Sequence, residues 1–92
     1  MSAVTVVVPS AWRAASGIEG TLACEAETVR EALRWLLDRH PDLEPRLFNV
    51  PGQVASWVRV FVGDDDIRHL QNLDTPLPEG GAIVILPAAA GG

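Results

Sequence analysis

The sequence predicts an α+β fold, and three observations carry that prediction. Short β-patterned segments surround one long amphipathic segment in the order strand, strand, helix, strand, short strand, strand, the layout of a sheet with one covering helix and not of repeated βαβ units. The amphipathic segment has a single apolar stripe, so it covers one sheet face. A chain of 92 residues supports one domain with one modest core, burying about 60 to 70% of the surface its unfolded form would expose.

The first strand is Val4 to Val8, a β-branched run stopped by Pro9, which lacks a ladder donor. Ser16-Gly17 supplies a turn. Gly20 to Ala26 alternates weakly between small or apolar residues and polar ones and reads as a second, antiparallel strand. Thr28-Val29-Arg30-Glu31 fits a capping box, in which the Thr oxygen accepts a helical amide and Glu reaches back to the cap amide. Val29, Ala32, Leu33, Leu36 and Leu37 then recur at three- and four-residue spacing, with Arg30, Glu31, Arg34 and Asp38 off the stripe, until Pro41 stops the helix near His40.

Asp42 to Gly52 holds two prolines and the apolar trio Leu43, Leu47 and Phe48, which predicts one helical turn and then a loop. Trp57 to Val62 is the clearest strand, with Val58, Val60 and Val62 on one face and Trp57, Arg59 and Phe61 on the other. Gly63-Asp64-Asp65-Asp66 is a hairpin turn into a short strand at Ile67-Arg68, and Leu70 and Leu73 are expected to pin the next loop to the core. Thr75 to Gly81, with two prolines and two glycines, is a turn-rich approach to the last strand, Ala82 to Leu86, which Pro87 closes. Ala88 to Gly92 has small side chains, no charge and no amphipathic period, so burial cannot anchor it and a mobile tail is expected.

Composition excludes several function classes. With 48% apolar and 21% charged residues the chain has ordinary globular usage. A net charge of -5 argues against nucleic acid, because phosphate binding needs clustered cations, and favours basic protein partners. There is no lysine, and the seven cationic side chains are Arg13, Arg30, Arg34, Arg39, Arg46, Arg59 and Arg68. One cysteine, Cys24, forms no internal disulfide and offers no spaced thiolate set for a metal. The first nine residues lack a basic region and a long apolar stretch, so neither a signal peptide nor a membrane span is expected and the protein is placed in the cytoplasm.

Nothing in the sequence is spaced as an enzyme's nucleophile, carboxylate pair or metal set. Cys24 in a strand reads as a small buried hydrophobe. Asp64 to Asp66 offer a site for a cation or a basic groove, but three acids after Gly in a hairpin are more simply a solvated turn. His40 suits a helix C-terminus, His69 lies in a loop without companion ligands, and Trp12 and Trp35 read as packing residues. Gly80-Gly81 precedes a strand and is a turn.

The segments VTVVVP, TVREALRWLLDRHPDL, VRVFVGDDDIR and PLPEGGAIVILPAAAGG together resemble the ubiquitin-like β-grasp sulfur carriers, including the thiamine-pathway carrier, the small subunit of molybdopterin synthase and the carrier of cysteine biosynthesis. The ending ILPAAAGG looks most like the cysteine-biosynthesis and molybdopterin branches. The resemblance implies a mixed four- to five-stranded sheet packed on one main helix over residues 1–87, with a flexible diglycine tail over 88–92. It further implies that an E1-like adenylating and sulfurtransferase enzyme spends ATP to convert the Gly92 carboxylate to an acyl-adenylate. Sulfur then displaces AMP, and the resulting thiocarboxylate donates sulfur inside a sulfur-accepting biosynthetic enzyme. The carrier itself binds no cofactor and no metal.

Glycine suits that task, since Gly91 and Gly92 lack the Cβ atoms that would obstruct a narrow channel. Ala88, Ala89 and Ala90 extend the reach, and five tail residues span at most on the order of 17 Å. Docking must come from the folded body, because ordering the tail costs about 1 to 2 kcal/mol per residue. By the resemblance Ile83 and Ile85 face inward, which leaves Val84, Leu86 and Pro87, with Phe61 and Arg59 of the neighbouring strand, as an apolar partner surface with a polar edge. The alternative is that a loop covers these positions or that they are simply tolerated as exposed apolar residues. Two other functions use the same fold: a protein modifier joined through Gly92 to target lysines, and a non-covalent adaptor that needs no tail.

Overall fold

The computed structural model describes residues 2–17, 20–50, 53–55 and 57–87. Its elements in chain order are β1 (Ser2–Val7), α1 (Ser10–Ser16), β2 (Thr21–Ala26), α2 (Val29–Arg39), α3 (Glu44–Leu47), β3 (Phe48–Val50), β4 (Gln53–Val54), β5 (Val58–Val62), β6 (Asp65–Asp66) and β7 (Ala82–Pro87). Single 3-10 turns lie at Pro41–Leu43, Ile67–His69 and Asn72–Asp74. Five strands form one mixed sheet in the order β2-β1-β7-β5-β6, in which β1 and β7 run parallel and every other neighbouring pair is antiparallel. The last strand in sequence is therefore the middle strand of the sheet.

One face of the sheet is closed by α2. Val29, Ala32, Leu33 and Leu36 are fully buried, as the stripe requires, and they meet Val4, Val6, Cys24, Ala26, Val58, Val60, Ile83 and Ile85 from the strands. Each fully covered Val, Leu or Ile contributes roughly 1.5 to 3 kcal/mol against the entropy of ordering the chain. The helix is capped as its first residues demand: Thr28 Oγ1 accepts from the Glu31 N–H at 3.3 Å, and Glu31 Oε1 accepts from the Glu27 N–H at 2.9 Å, one residue before the expected cap amide. Trp35 is half-buried, with the Arg39 guanidinium 4.7 Å above its ring.

Several expectations need correction. The expected turn at Ser16-Gly17 is the end of an unforeseen helix, Ser10–Ser16: Pro9 starts it and Gly17, at φ 68, ends it in the left-handed conformation that glycine adopts without a Cβ penalty. Trp12 on this helix is buried in the core. After the expected helical turn, Phe48–Val50 is a strand paired with β4 in a small second sheet. The hairpin after β5 turns through Gly63 at φ 61 and pairs Asp65 and Asp66 with Val62 and Phe61. Ile67–His69 is thus a 3-10 turn and not a strand.

Leu73 is buried but Leu70 is 42% exposed, so only one of the two expected leucines pins its loop. The loop is held instead by buried Thr75, whose Oγ1 accepts from the Gln71 N–H at 3.0 Å and donates to the Asn72 carbonyl at 2.7 Å. The expected tail, Ala88 to Gly92, lies outside the described residues.

Candidate functional site

The candidate site is the sheet face that α2 leaves open, together with the C-terminal end of β7. Because β7 is paired on both sides, successive residues must alternate between the helix-covered core and the open face. Ile83 and Ile85 are completely buried, whereas Val84 is half-buried and Leu86 is 44% exposed. The register aligns Val84 with Phe61 and Leu86 with Arg59 on β5. Of the five residues expected to form the partner surface, Arg59, Phe61, Val84 and Leu86 therefore share the open face of two adjacent strands, whereas Pro87 has the opposite parity and pairs with buried Val58; no described loop buries Leu86.

The structure adds two residues to this surface. Val7, half-buried on β1, stands beside Val84 in the parallel register, so Val7, Val84 and Phe61 form a row across three strands. The signal was present in the parity of VTVVVP, but nothing local says that the first strand neighbours the last. Trp57, 47% exposed, precedes Val58, and Val58 pairs with Pro87, so the backbone of residue 57 lies beside the end of β7. Its indole N–H donates to the Arg46 carbonyl at 3.1 Å, which fixes the ring while leaving nearly half of the residue uncovered.

At the edge of the patch the solvated reading of the three aspartates fails for one of them. Asp64 and Asp65 are exposed, but Asp66 is buried, because pairing with Phe61 brings it under the β5 edge. Its Oδ1 accepts from the Arg68 backbone N–H at 2.9 Å and from Arg68 Nε at 3.2 Å, and Oδ2 accepts from Arg68 Nη2 at 3.0 Å. Arg59 Nη1 lies 3.7 Å from the same Oδ2. Hydrogen bonding to the Arg68 side chain holds the Asp66 carboxyl below the usual carboxylate range, against the opposing effect of burial. The carboxylate thus anchors the Arg59 guanidinium beside Leu86.

Other candidates remain without a chemical role. Cys24 is buried in β2, and burial raises its thiol pKa, which disfavours the nucleophilic thiolate. His40 ends α2 and His69 ends a 3-10 turn. Among the described residues no group of three or more His, Cys, Asp or Glu could hold a metal ion, and no helix is long and apolar enough to cross a membrane. A groove of about 360 Å³ beside α2 is lined by Arg30 and Arg34, the carboxylates Asp38 and Glu44, and apolar Leu37 and Phe48 among others.

This open-faced sheet with its last strand at the centre also matches known proteins. The model of the ThiS family covers residues 8–92 of the chain. The chain belongs to the ThiS family. Within that family it is 30% identical over 91 residues to the sulfur carrier protein CysO of Mycobacterium tuberculosis, covering 97% of this chain and 98% of that protein. It superposes with a TM-score of 0.85 and 31% identity on a chain of the Amycolatopsis orientalis BexX/CysO complex, covering 97% of this chain and 99% of that one. Small archaeal modifier protein 1 of Methanosarcina acetivorans gives a TM-score of 0.86 at 28% identity, covering 100% of this chain and 98% of that one. The fold is the β-grasp of the ubiquitin-like sulfur carriers, and ThiS- and CysO-type proteins are small carriers rather than enzymes.

Proposed function

We propose that this ThiS-family chain carries sulfur as a thiocarboxylate on Gly92 and delivers it to a partner enzyme in small-molecule biosynthesis. A carboxylate does not exchange oxygen for sulfur unaided, because oxide is a poor leaving group. An E1-like partner therefore joins the Gly92 carboxylate to the α-phosphate of ATP with loss of pyrophosphate, and a sulfur nucleophile then attacks the acyl carbon and expels AMP. The thiocarboxylate sulfur is the nucleophile in the accepting enzyme, so the carrier needs no catalytic residue of its own.

The observation that carries this reading is the seat of β7. The strand that leads to the diglycine is locked at the centre of the sheet by Ile83 and Ile85, while Val84 and Leu86 face outward beside Phe61 and Arg59. A rigid body presents an apolar face where the reactive segment departs, so docking and delivery are coupled. The CysO of Amycolatopsis orientalis was solved in complex with BexX, which supports a heteromeric partner here.

The likeness to small archaeal modifier protein 1 favours a second reading, conjugation through Gly92 to lysines of target proteins. The absence of lysine from this sequence excludes lysine-linked chains of the protein on itself under either reading. Intact-mass spectrometry of the protein from its native host separates the two. Exchange of one oxygen for sulfur marks the carrier, and Gly-Gly remnants on target lysines mark the modifier. A chain lacking Gly91 and Gly92 that still supports the pathway in cells refutes both.

A further inference from the structure

Among the described residues the Arg59 guanidinium is oriented by a charge but hydrogen-bonded to nothing. The register sets Arg59 beside Leu86, and Phe61, two residues further along β5, pairs with Asp66 on β6, so Arg59, Phe61, Leu86 and Asp66 share the open face. Asp66 Oδ2 lies 3.7 Å from Arg59 Nη1, close enough to attract the cation but beyond hydrogen-bond reach. Both oxygens of that carboxylate are already engaged by Arg68, through its backbone N–H, Nε and Nη2. The Arg59 side chain is 49% exposed, against 7% for Asp66.

Charge on this face therefore does not cancel. Two guanidiniums, Arg59 and Arg68, stand against one carboxylate, and Asp65, which pairs with core-packed Val62, belongs to the opposite face by parity. The excess positive charge lies beside exposed Leu86, in a chain whose net charge is -5. Covering Leu86 takes water from the neighbouring guanidinium, and a charge that loses water without an acceptor costs more than the apolar contact returns. Asp66 is not that acceptor, being committed to Arg68 and out of hydrogen-bond range. A planar fork with unbonded N–H groups matches a carboxylate through two parallel bonds.

We propose that the protein partner docked on this face presents an aspartate or glutamate carboxylate to Arg59, beside the place that receives Leu86, and that Asp66 is a positioning residue aiming the guanidinium at it. The inference rests on the carrier reading and adds the chemistry of the partner's surface, an apolar seat for Leu86 and Phe61 flanked by an acid. Arg68 completes the arrangement by neutralising Asp66, which then orients Arg59 without cancelling its charge.

The adenylation step is reversible, so a desalted soluble extract of the native host, given ATP and labelled pyrophosphate, should move label into ATP when the full chain is added. A chain lacking Gly91 and Gly92 sets the background. The effect of changing Arg59 should fall on the half-saturating concentration of chain and not on the maximal rate. Arg59→Lys should raise that concentration by about fivefold, Arg59→Met by about tenfold and Arg59→Glu by about a hundredfold. Asp66→Asn should raise it by about threefold in the wild-type chain and leave it unchanged in the Arg59→Met background, because its role runs through Arg59. Circular dichroism verifies the fold of each variant, and the Arg59 series decides alone if Asp66→Asn does not fold. A wild-type chain that stimulates no exchange refutes the carrier reading and this inference with it. Exchange that responds to the wild-type chain but is indifferent to the charge at position 59, or improves with Arg59→Glu, overturns the inference alone. Equal effects of Asp66→Asn in both backgrounds overturn the positioning role.

Discussion

Exchanging Leu86 for aspartate separates docking from folding, because Leu86 and its neighbour Ile85 differ only in which side of one strand they occupy. Ile85 is completely buried and Leu86 is 44% exposed. Full burial of such a side chain contributes roughly 1.5 to 3 kcal/mol, so covering the part of Leu86 still open to water is worth about 1 kcal/mol at an interface. Leu86→Ala should weaken binding by roughly fivefold. Leu86→Asp also forces a carboxylate to lose water under the partner, a cost of several kcal/mol, and should weaken it by about a hundredfold or more.

Stability should respond in the opposite order. Leu86→Asp should stay within about 0.5 kcal/mol of wild type, whereas Ile85→Ala leaves a cavity and should cost about 2 to 5 kcal/mol, lowering Tm by at least about 8 °C. Thermal unfolding reads the second quantity, and isothermal titration against the proposed adenylating partner reads the first. A folded Leu86→Asp chain that binds with wild-type affinity refutes the docking face. Equal destabilisation by both changes refutes the assignment of the two sides of β7.

Asp66 stabilises the fold through a lowered carboxyl pKa, so the unfolded chain holds that proton more readily than the native one. Its contribution is complete above the unfolded value of about 4 and is lost as pH falls through the lower native value. Asp66→Asn should therefore be less stable at neutral pH and show a shallower loss of stability below about pH 4 in urea titrations; an acid slope equal to wild type's contradicts the assignment. Thr28→Ala removes the oxygen that caps α2 and should cost about 1 kcal/mol, or roughly 4 to 8 °C in Tm, and no change in Tm would dismiss the cap. Cys24 should react with a thiol-specific disulfide reagent at pH 8 at least about tenfold more slowly in the native chain than in urea, and equal rates would contradict its burial.

Local rules made the helix and the strand parities legible. The Thr28 cap, the 29-32-33-36 stripe and the 58-60 alternation each depend on residues within a turn or two, and each reappears with the burial they imply. Alternation also sorted Ile83 and Ile85 from Val84 and Leu86, although the inward choice came from the resemblance and not from the run of four apolar residues itself. Ile67-Arg68 has strand composition, yet it lies in the 3-10 turn Ile67–His69. What overrides it is the Asp66 carboxylate, which accepts from the Arg68 N–H and turns the chain one residue after the hairpin. The second sheet has no clear sequence signal because β4 is two residues long, too short for alternation to show.

By itself the sequence determined the α+β class, the main helix and its apolar stripe, the acidic lysine-free composition, and a diglycine approached through a small-residue tail. Only the tertiary structure decided which strands are neighbours. It joined Val7 to Val84 across the parallel pair and set Trp57 at the end of β7. It also buried one of three consecutive aspartates close to Arg59 and set β2 at the edge of the sheet among the described residues. The physical reason is that side-chain periodicity is a property of one segment, whereas adjacency depends on closing loops between segments far apart in the chain, whose entropic cost is weakly dependent on length and carries no local sequence signature.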